Sequence, residues 1–340
     1  MAKNLIKSPS FIIGSLIIML LFFLSIFYKI IFNDHIPQPG INIMYDKQGK
    51  LLKGVLTPKQ HPPLGTDNQG RDIFFVMLVG AKYTIGTGFL VAFFRLFFST
   101  IIGVFFSFYF SKWTKFATAI VESSNFFPAT IFTYYLLQYI LFYDFLFHDK
   151  FTYPLWIRIM INLMVLIVVA IPSTALLISN ETRNIIKNEF IESAIVLGAN
   201  KFHIVKTHIR PFLLPQLFIV FLREFIQVML LIAHLGLLGI MVGGGQPGED
   251  LFQRKIIVSI SNEWSGLIGS WWSFLWTSYP WIPFIPICFF TLIIIAAKLT
   301  LEGFTQALSK NPSSSYLNIE KPTKNVMTNP IEKKDFVSIE

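Results

Sequence analysis

Arg95 sits in one long apolar run of this chain, and the adjacent Arg223 and Glu224 sit in another. A charge surrounded by hydrocarbon is costly, so such residues turn toward protein or a wet cavity, where they pair or line a solute pathway. Arg223-Glu224 reads as protein-facing and structural, while Arg95 is open to either use. No hydrolytic motif accompanies them: there is no His-Glu-x-x-His, no Gly-x-Ser-x-Gly and no aspartate pair in facing apolar runs. His148 and His234 lack a second ligand at metal-site spacing and read as packing or interfacial residues. Cys288, the one cysteine, excludes an internal disulfide and a cysteine-based zinc site, and its apolar setting predicts a packing role.

Two further stretches mix charge with glycine and proline. "LGTDNQGRD", residues 64–72, carries Leu64, Gly65, Thr66, Asp67, Gly70, Arg71 and Asp72. Arg71 follows Asp67 at the spacing of one helical turn. That predicts an internal pair fixing a helix along the outer membrane face, in preference to a contact with a partner. "ESAIVLGANKFHIVKTHIRPFLLP", residues 192–215, reads as two short amphipathic helices. Phe190, Ile191, Ala194 and Ile195 recur at helical spacing, with Glu189, Glu192 and Ser193 on the other side. Gly198 supplies a bend, since glycine tolerates the left-handed conformation that ends a helix. Phe202, Val205 and Ile209 line the second helix, His203, Lys206 and Arg210 fall elsewhere, and Pro211 and Pro215 are expected to stop it. An interfacial loop lying on lipid headgroups would show the same amphipathicity and basic charge. It would not call for a glycine-hinged pair between two apolar runs.

The elements that position these residues follow from composition. The chain has 340 residues, of which 54% are hydrophobic and only 14% charged. Its mean hydropathy is +0.60. A soluble domain could not hide so much apolar surface behind so few charges, so the bilayer is the expected solvent. A span needs about 20 apolar residues, which places spans near 11–32, 84–110, 117–143, 156–179, 213–238 and 280–301. The fold class is therefore an all-α polytopic membrane protein with about six transmembrane helices. The first apolar stretch is too long for a signal peptide and lacks a small-residue cleavage site, so it reads as an uncleaved span.

The formal charge of +9 reads as orientation, with no basic face suited to nucleic acid. Lys3 and Lys7, Lys112 and Lys115, Arg183 to Arg210, and Lys310 to Lys334 fall on one side of six spans, which the positive-inside rule makes the cytoplasm. Segment 33–83 is also basic but long, and Asp34, Asp46, Asp67 and Asp72 offset part of its charge. Residues 1–10 are then cytoplasmic, 84–310 form the membrane core, and 311–340, rich in Ser, Asn, Pro and Lys, form a cytoplasmic tail expected to be poorly ordered. "GIMVGGGQPG", within the loop 239–279, lacks the lysine and flanking strand of a phosphate-binding loop and reads as a flexible extracellular turn.

At this point the residues carry a resemblance. Glu192-Ser193-Ala194, Gly198 six positions after Glu192, and Pro211 thirteen positions further resemble the coupling loop of ABC importer permeases. The run His208-Ile209-Arg210-Pro211 is similar to the oligopeptide and dipeptide branch, with Arg210 replacing a usual leucine. "HPPLGTDNQGRD" resembles the extracellular segment of that branch's C-type subunit. "NEWSGLIG", "YPWIPFIP" and "LEGFTQAL" follow its order near the end. The resemblance covers about residues 60 to 310 and implies the type I importer permease fold, with a cytoplasmic coupling loop at 181–215. It also implies the partners: a second homologous permease subunit, two cytoplasmic ATPases that carry ATP and magnesium, and an extracellular substrate-binding protein. No cofactor is expected on this chain, which would not itself be an enzyme. Met229 stands where the family often has glutamate, and 240–262 is longer than usual. The cargo is open among dipeptides, oligopeptides, nickel and metal-chelator complexes. A membrane enzyme is opposed by the missing motifs. A proton- or sodium-coupled transporter would show mid-membrane ionisable residues and repeat symmetry, neither of which is evident.

Overall fold

The computed structural model describes residues 5, 7–41, 44–45, 51–52, 54–110, 113–124, 126–141, 153–249, 251 and 255–309. His148 and the expected tail at 311–340 lie outside them. Among the described residues the chain is mostly helical, and five helices are long and apolar enough to cross a membrane. These are α1 (Pro9–Phe32), α2 (Ile73–Tyr109), α5 (Leu155–Ile186), α7 (Lys201–Leu237) and α9 (Trp281–Ser309). Shorter helices are α3 (Thr114–Ser124), α4 (Ala129–Leu141), α6 (Glu189–Val196) and α8 (Trp264–Trp271). Ile12, Leu16, Met19, Phe23, Phe27 and Ile30 leave one face of α1 exposed along its length, which suits lipid tails as solvent.

The expected third span, 117–143, is corrected to two helices of 11 and 13 residues, parted at Phe126–Pro128. Proline has no N–H to continue the ladder and disfavours helical backbone in the residue before it. The chain still has to return through this region. Arg95 reaches Leu166, Ser99 reaches Ile171, and Gly103 lies against Ala175, so α2 and α5 run side by side in the same direction. The helices long enough to cross a membrane number five among the described residues, one fewer than the six spans expected from the sequence.

Helix α2 begins at Ile73 rather than near 84, because the Asp72 carboxylate caps it by accepting from the Phe74 N–H at 2.9 Å. At 1.5 Å per residue it is roughly 55 Å long, well beyond a hydrocarbon core of about 30 Å. Lys82 lies within it and donates to Asp34 at 2.7 Å. The fold also holds two small antiparallel hairpins, β1 (Met44–Tyr45) with β2 (Leu51–Leu52) and β3 (Gly245–Glu249) with β4 (Lys255–Ser259). The glycine-rich stretch read as a flexible turn thus feeds a paired strand. Cys288 is exposed on α9, not packed in the core.

These hairpins and the 54–72 segment gather at one end of the bundle, hereafter the hairpin end. The other end holds the α6–α7 junction, hereafter the elbow. There Phe218 of α7 meets Phe304 of α9 at 4.4 Å between ring centroids, and Leu5 and Phe11 pack against the same cluster.

Candidate functional site

At the middle of the helices lies a buried ionic cluster. Arg95, only 2% exposed, stands near the midpoint of α2, and Glu224 stands at the middle of the Arg210–Leu237 part of α7. The Arg95 Nη1 donates to Glu224 Oε2 at 3.2 Å, and its Nε donates to the Leu166 carbonyl at 2.8 Å, which Nη2 also reaches. The Thr174 hydroxyl donates to Glu224 Oε1 at 2.6 Å. Four groups from α2, α5 and α7 thus hydrogen-bond one another where water is scarce, as a buried charge pair requires. The reading of Arg223-Glu224 as one unit is corrected: Glu224 turns inward, whereas Arg223, one residue earlier and about 100° around the helix, is exposed.

Beside the pair opens a cavity of about 930 Å³, near the upper end of the range for ligand sites. Arg95, Thr130, Ser173, Gln227 and His234 supply its polar lining, and Phe127, Phe132, Val169 and Leu230 are among its apolar walls. His234, read as a packing residue, lines this cavity. Phe127 and Pro128, at the break between α3 and α4, line it too. Irregular backbone at membrane depth is tolerated where it borders such a space. Thr174, the Leu166 carbonyl, Ser173 and Gln227 are not singled out by the sequence, because neutral polar residues in apolar helices carry no motif. The reading that no ionisable residue is evident at mid-depth is corrected by the Arg95–Glu224 pair, which lies near the middle of its helices.

At the elbow, α6 closes with both bonds of a glycine-terminated helix end. Ala199 N–H donates to the Ala194 carbonyl at 3.0 Å and Gly198 N–H to Ile195 at 2.9 Å. Gly198 takes φ +83 with open space around it, so its role is conformational. Ile191 (0% exposed) packs inward with Ile185, Ile204, Ile209 and Leu213, and Ala194 (8%) is buried too, so both face this chain's own core, not a partner. Val196 (85%), Leu197 (86%) and Phe202 (74%) are exposed instead, with Phe190 and Ile195 half-turned outward. Glu192, Ser193 and Arg210 are exposed, and His208 is half-buried near Phe190 and His203. Lys201 Nζ stands 4.1 Å over the Tyr109 ring, tying the elbow to the end of α2.

Pro211 and Pro215 do not stop the second helix of the elbow. Residues Lys201–Leu237 run as one helix, in which Ile204–Ile209 widens into a π-helical stretch just before Pro211. A proline lacks the N–H and crowds the carbonyl four residues back; the wider turn accommodates both.

At the hairpin end the predicted Asp67–Arg71 pair forms, with Nε at 2.8 Å from Oδ2, but not on a helix. Residues 66–72 make a tight turn instead, closed by a Thr66–Asp72 bridge and by Gly70 at φ +75. Asp67, fully buried, also accepts from the backbone N–H groups of Gln69 and Arg71. Arg71 donates on to Asn262 at 2.8 Å, Thr66 Oγ1 accepts from the Leu56 N–H, and His61 pairs with Asp72 at 2.9 Å. Leu64 is half-buried, and the Gly65 carbonyl accepts from the Ile73 N–H. Nearby, the buried Glu263 accepts from the N–H groups of Val242, Ser265 and Gly266. Burial pushes its carboxyl above the usual carboxylate range, against these donors, which favour the ionised form.

No family model matches the chain, and no curated protein matches its sequence.

Proposed function

We infer that the chain is a membrane-embedded permease subunit of an ATP-driven importer of peptides, forming half of a translocation pathway. The observation that carries this reading is the elbow. A rigid helix pair closed at Gly198 presents Val196, Leu197 and Phe202 at the bundle end, without a partner within the described chain. Exposed large apolar groups on a rigid tip suit a groove on a second protein. In this reading that protein is a cytoplasmic ATPase. Closure of two such subunits pushes the elbow, and the single helix Lys201–Leu237 passes the motion to Glu224, Arg95 and the cavity. Glu192, at the start of α6, makes the polar contact. A second homologous permease completes the cavity, ATP and magnesium reside on the ATPases, and an extracellular binding protein docks at the hairpin end. The setting is a bacterial cell membrane with both termini cytoplasmic.

Purification of the chain from its native membrane tests this. An ATPase recovered with it, and substrate-stimulated ATP turnover lost in Glu192→Lys or Gly198→Val while membrane insertion persists, supports the reading. Unchanged coupling in reconstituted vesicles refutes it. Nickel or a metal-chelator complex is the alternative cargo. The Arg95–Glu224 pair at mid-depth favours a second class, a proton- or sodium-coupled transporter; uptake driven by an ion gradient without ATP would establish it.

A further inference from the structure

We propose that Arg95 and the start of α4 form an anion subsite in the mid-membrane cavity, which takes the carboxylate of the passing solute; this rests on the peptide reading above. A guanidinium has five N–H donors. Three are used, two toward the Leu166 carbonyl and one toward Glu224. One hydrogen on Nη1 and one on Nη2 remain, two charged donors left for an anion. Arg95 lines the cavity and Glu224 does not, so the cationic end of the pair faces the solute.

The opposite wall adds a second positive feature. Ala129 and Thr130, the first residues of α4, line the cavity. The first backbone bonds of that helix are donated by Ile131 and Phe132 to the Pro128 carbonyl, leaving the preceding N–H groups free of intrahelical partners. The positive end of the helix dipole therefore borders the same space as the guanidinium. No aspartate or glutamate is among the lining residues. Among the described lining residues a solute amine finds no carboxylate, whereas a carboxylate finds two sources of attraction. The subsite is built for one end of a zwitterion.

The experiment compares uptake of trialanine with uptake of trialanine amide, in vesicles holding the complete transporter. Wild type is expected to favour the free acid at least tenfold. Arg95→Gln combined with Glu224→Gln replaces the pair by neutral amides of similar shape, avoiding a lone buried charge. This variant is expected to lower the acid-to-amide preference about tenfold. Arg95→Lys, which keeps the charge but loses the fork, is the second variant, with a smaller drop of about threefold. Discrimination exercised by another subunit would survive both substitutions, so an unchanged preference overturns the subsite, as does equal wild-type uptake of acid and amide. In both of those outcomes the peptide reading stands. If wild type takes up neither peptide, that reading falls and the subsite falls with it.

Discussion

The two ends of the bundle handle their exposed chemistry in opposite ways. At the hairpin end, Asp67, Asp72 and Glu263 are buried and each accepts from backbone N–H groups, so charge is consumed inside the chain. At the elbow, acids and bases stay exposed, and Val196, Leu197 and Phe202 point outward beside them. One end keeps its acids inside the chain, although Trp276 (84%) stands exposed there. The other has a rigid backbone but an apolar tip without cover among the described residues, which is the arrangement expected of a surface completed by a partner.

Substitutions at the two ends should therefore fail differently. The largest stability loss is expected for Asp67→Ala, which strands Arg71 and two buried N–H groups. A cost of about 3–5 kcal/mol should appear as a collapse in folded yield during size-exclusion chromatography. Glu263→Ala leaves the N–H groups of Val242, Ser265 and Gly266 without an acceptor. A cost of about 3 kcal/mol, read from thermal melts in detergent, is expected. Gly198→Val forces a β-branched residue into the left-handed region and should cost about 1–2 kcal/mol, with a larger loss of coupling than of yield. Tyr109→Leu removes the ring beneath Lys201 and should cost no more than about 1 kcal/mol. Leu197→Asp marks the far end of the comparison. Its stability should shift by less than about 0.5 kcal/mol, while recovery of the proposed ATPase partner with the chain drops severalfold. Equal destabilisation by Leu197→Asp and Asp67→Ala would erase the contrast between the ends.

The residues themselves show how far the sequence could be read. Gly198 was legible because its left-handed turn is a local matter, and the Asp67–Arg71 pair because four positions span one short turn. Spacing alone predicts a helix for the pair, however, since it cannot separate a helical turn from a turn closed by Gly70. The single span expected at 117–143 breaks near Pro128, where hydropathy continues but the backbone ladder does not. Pro211 and Pro215 err the other way: a π-helical stretch accommodates Pro211, and Pro215 sits inside the continuing helix. Thr174, Ser173 and Gln227 gave no signal at all.

Composition alone determined the solvent, because no soluble packing could cover so much apolar surface, and it located most long helices through the length a bilayer demands. Only tertiary structure decided which face of α6 turns inward, since Ile191, Ala194, Ile195, Val196 and Leu197 surround a short helix with apolar groups on several sides. It also decided that Arg95 and Glu224, 129 residues apart, share a bond beside a cavity. Long-range pairs of this kind depend on how helices pack against one another, and packing is a property of surfaces that local periodicity does not encode.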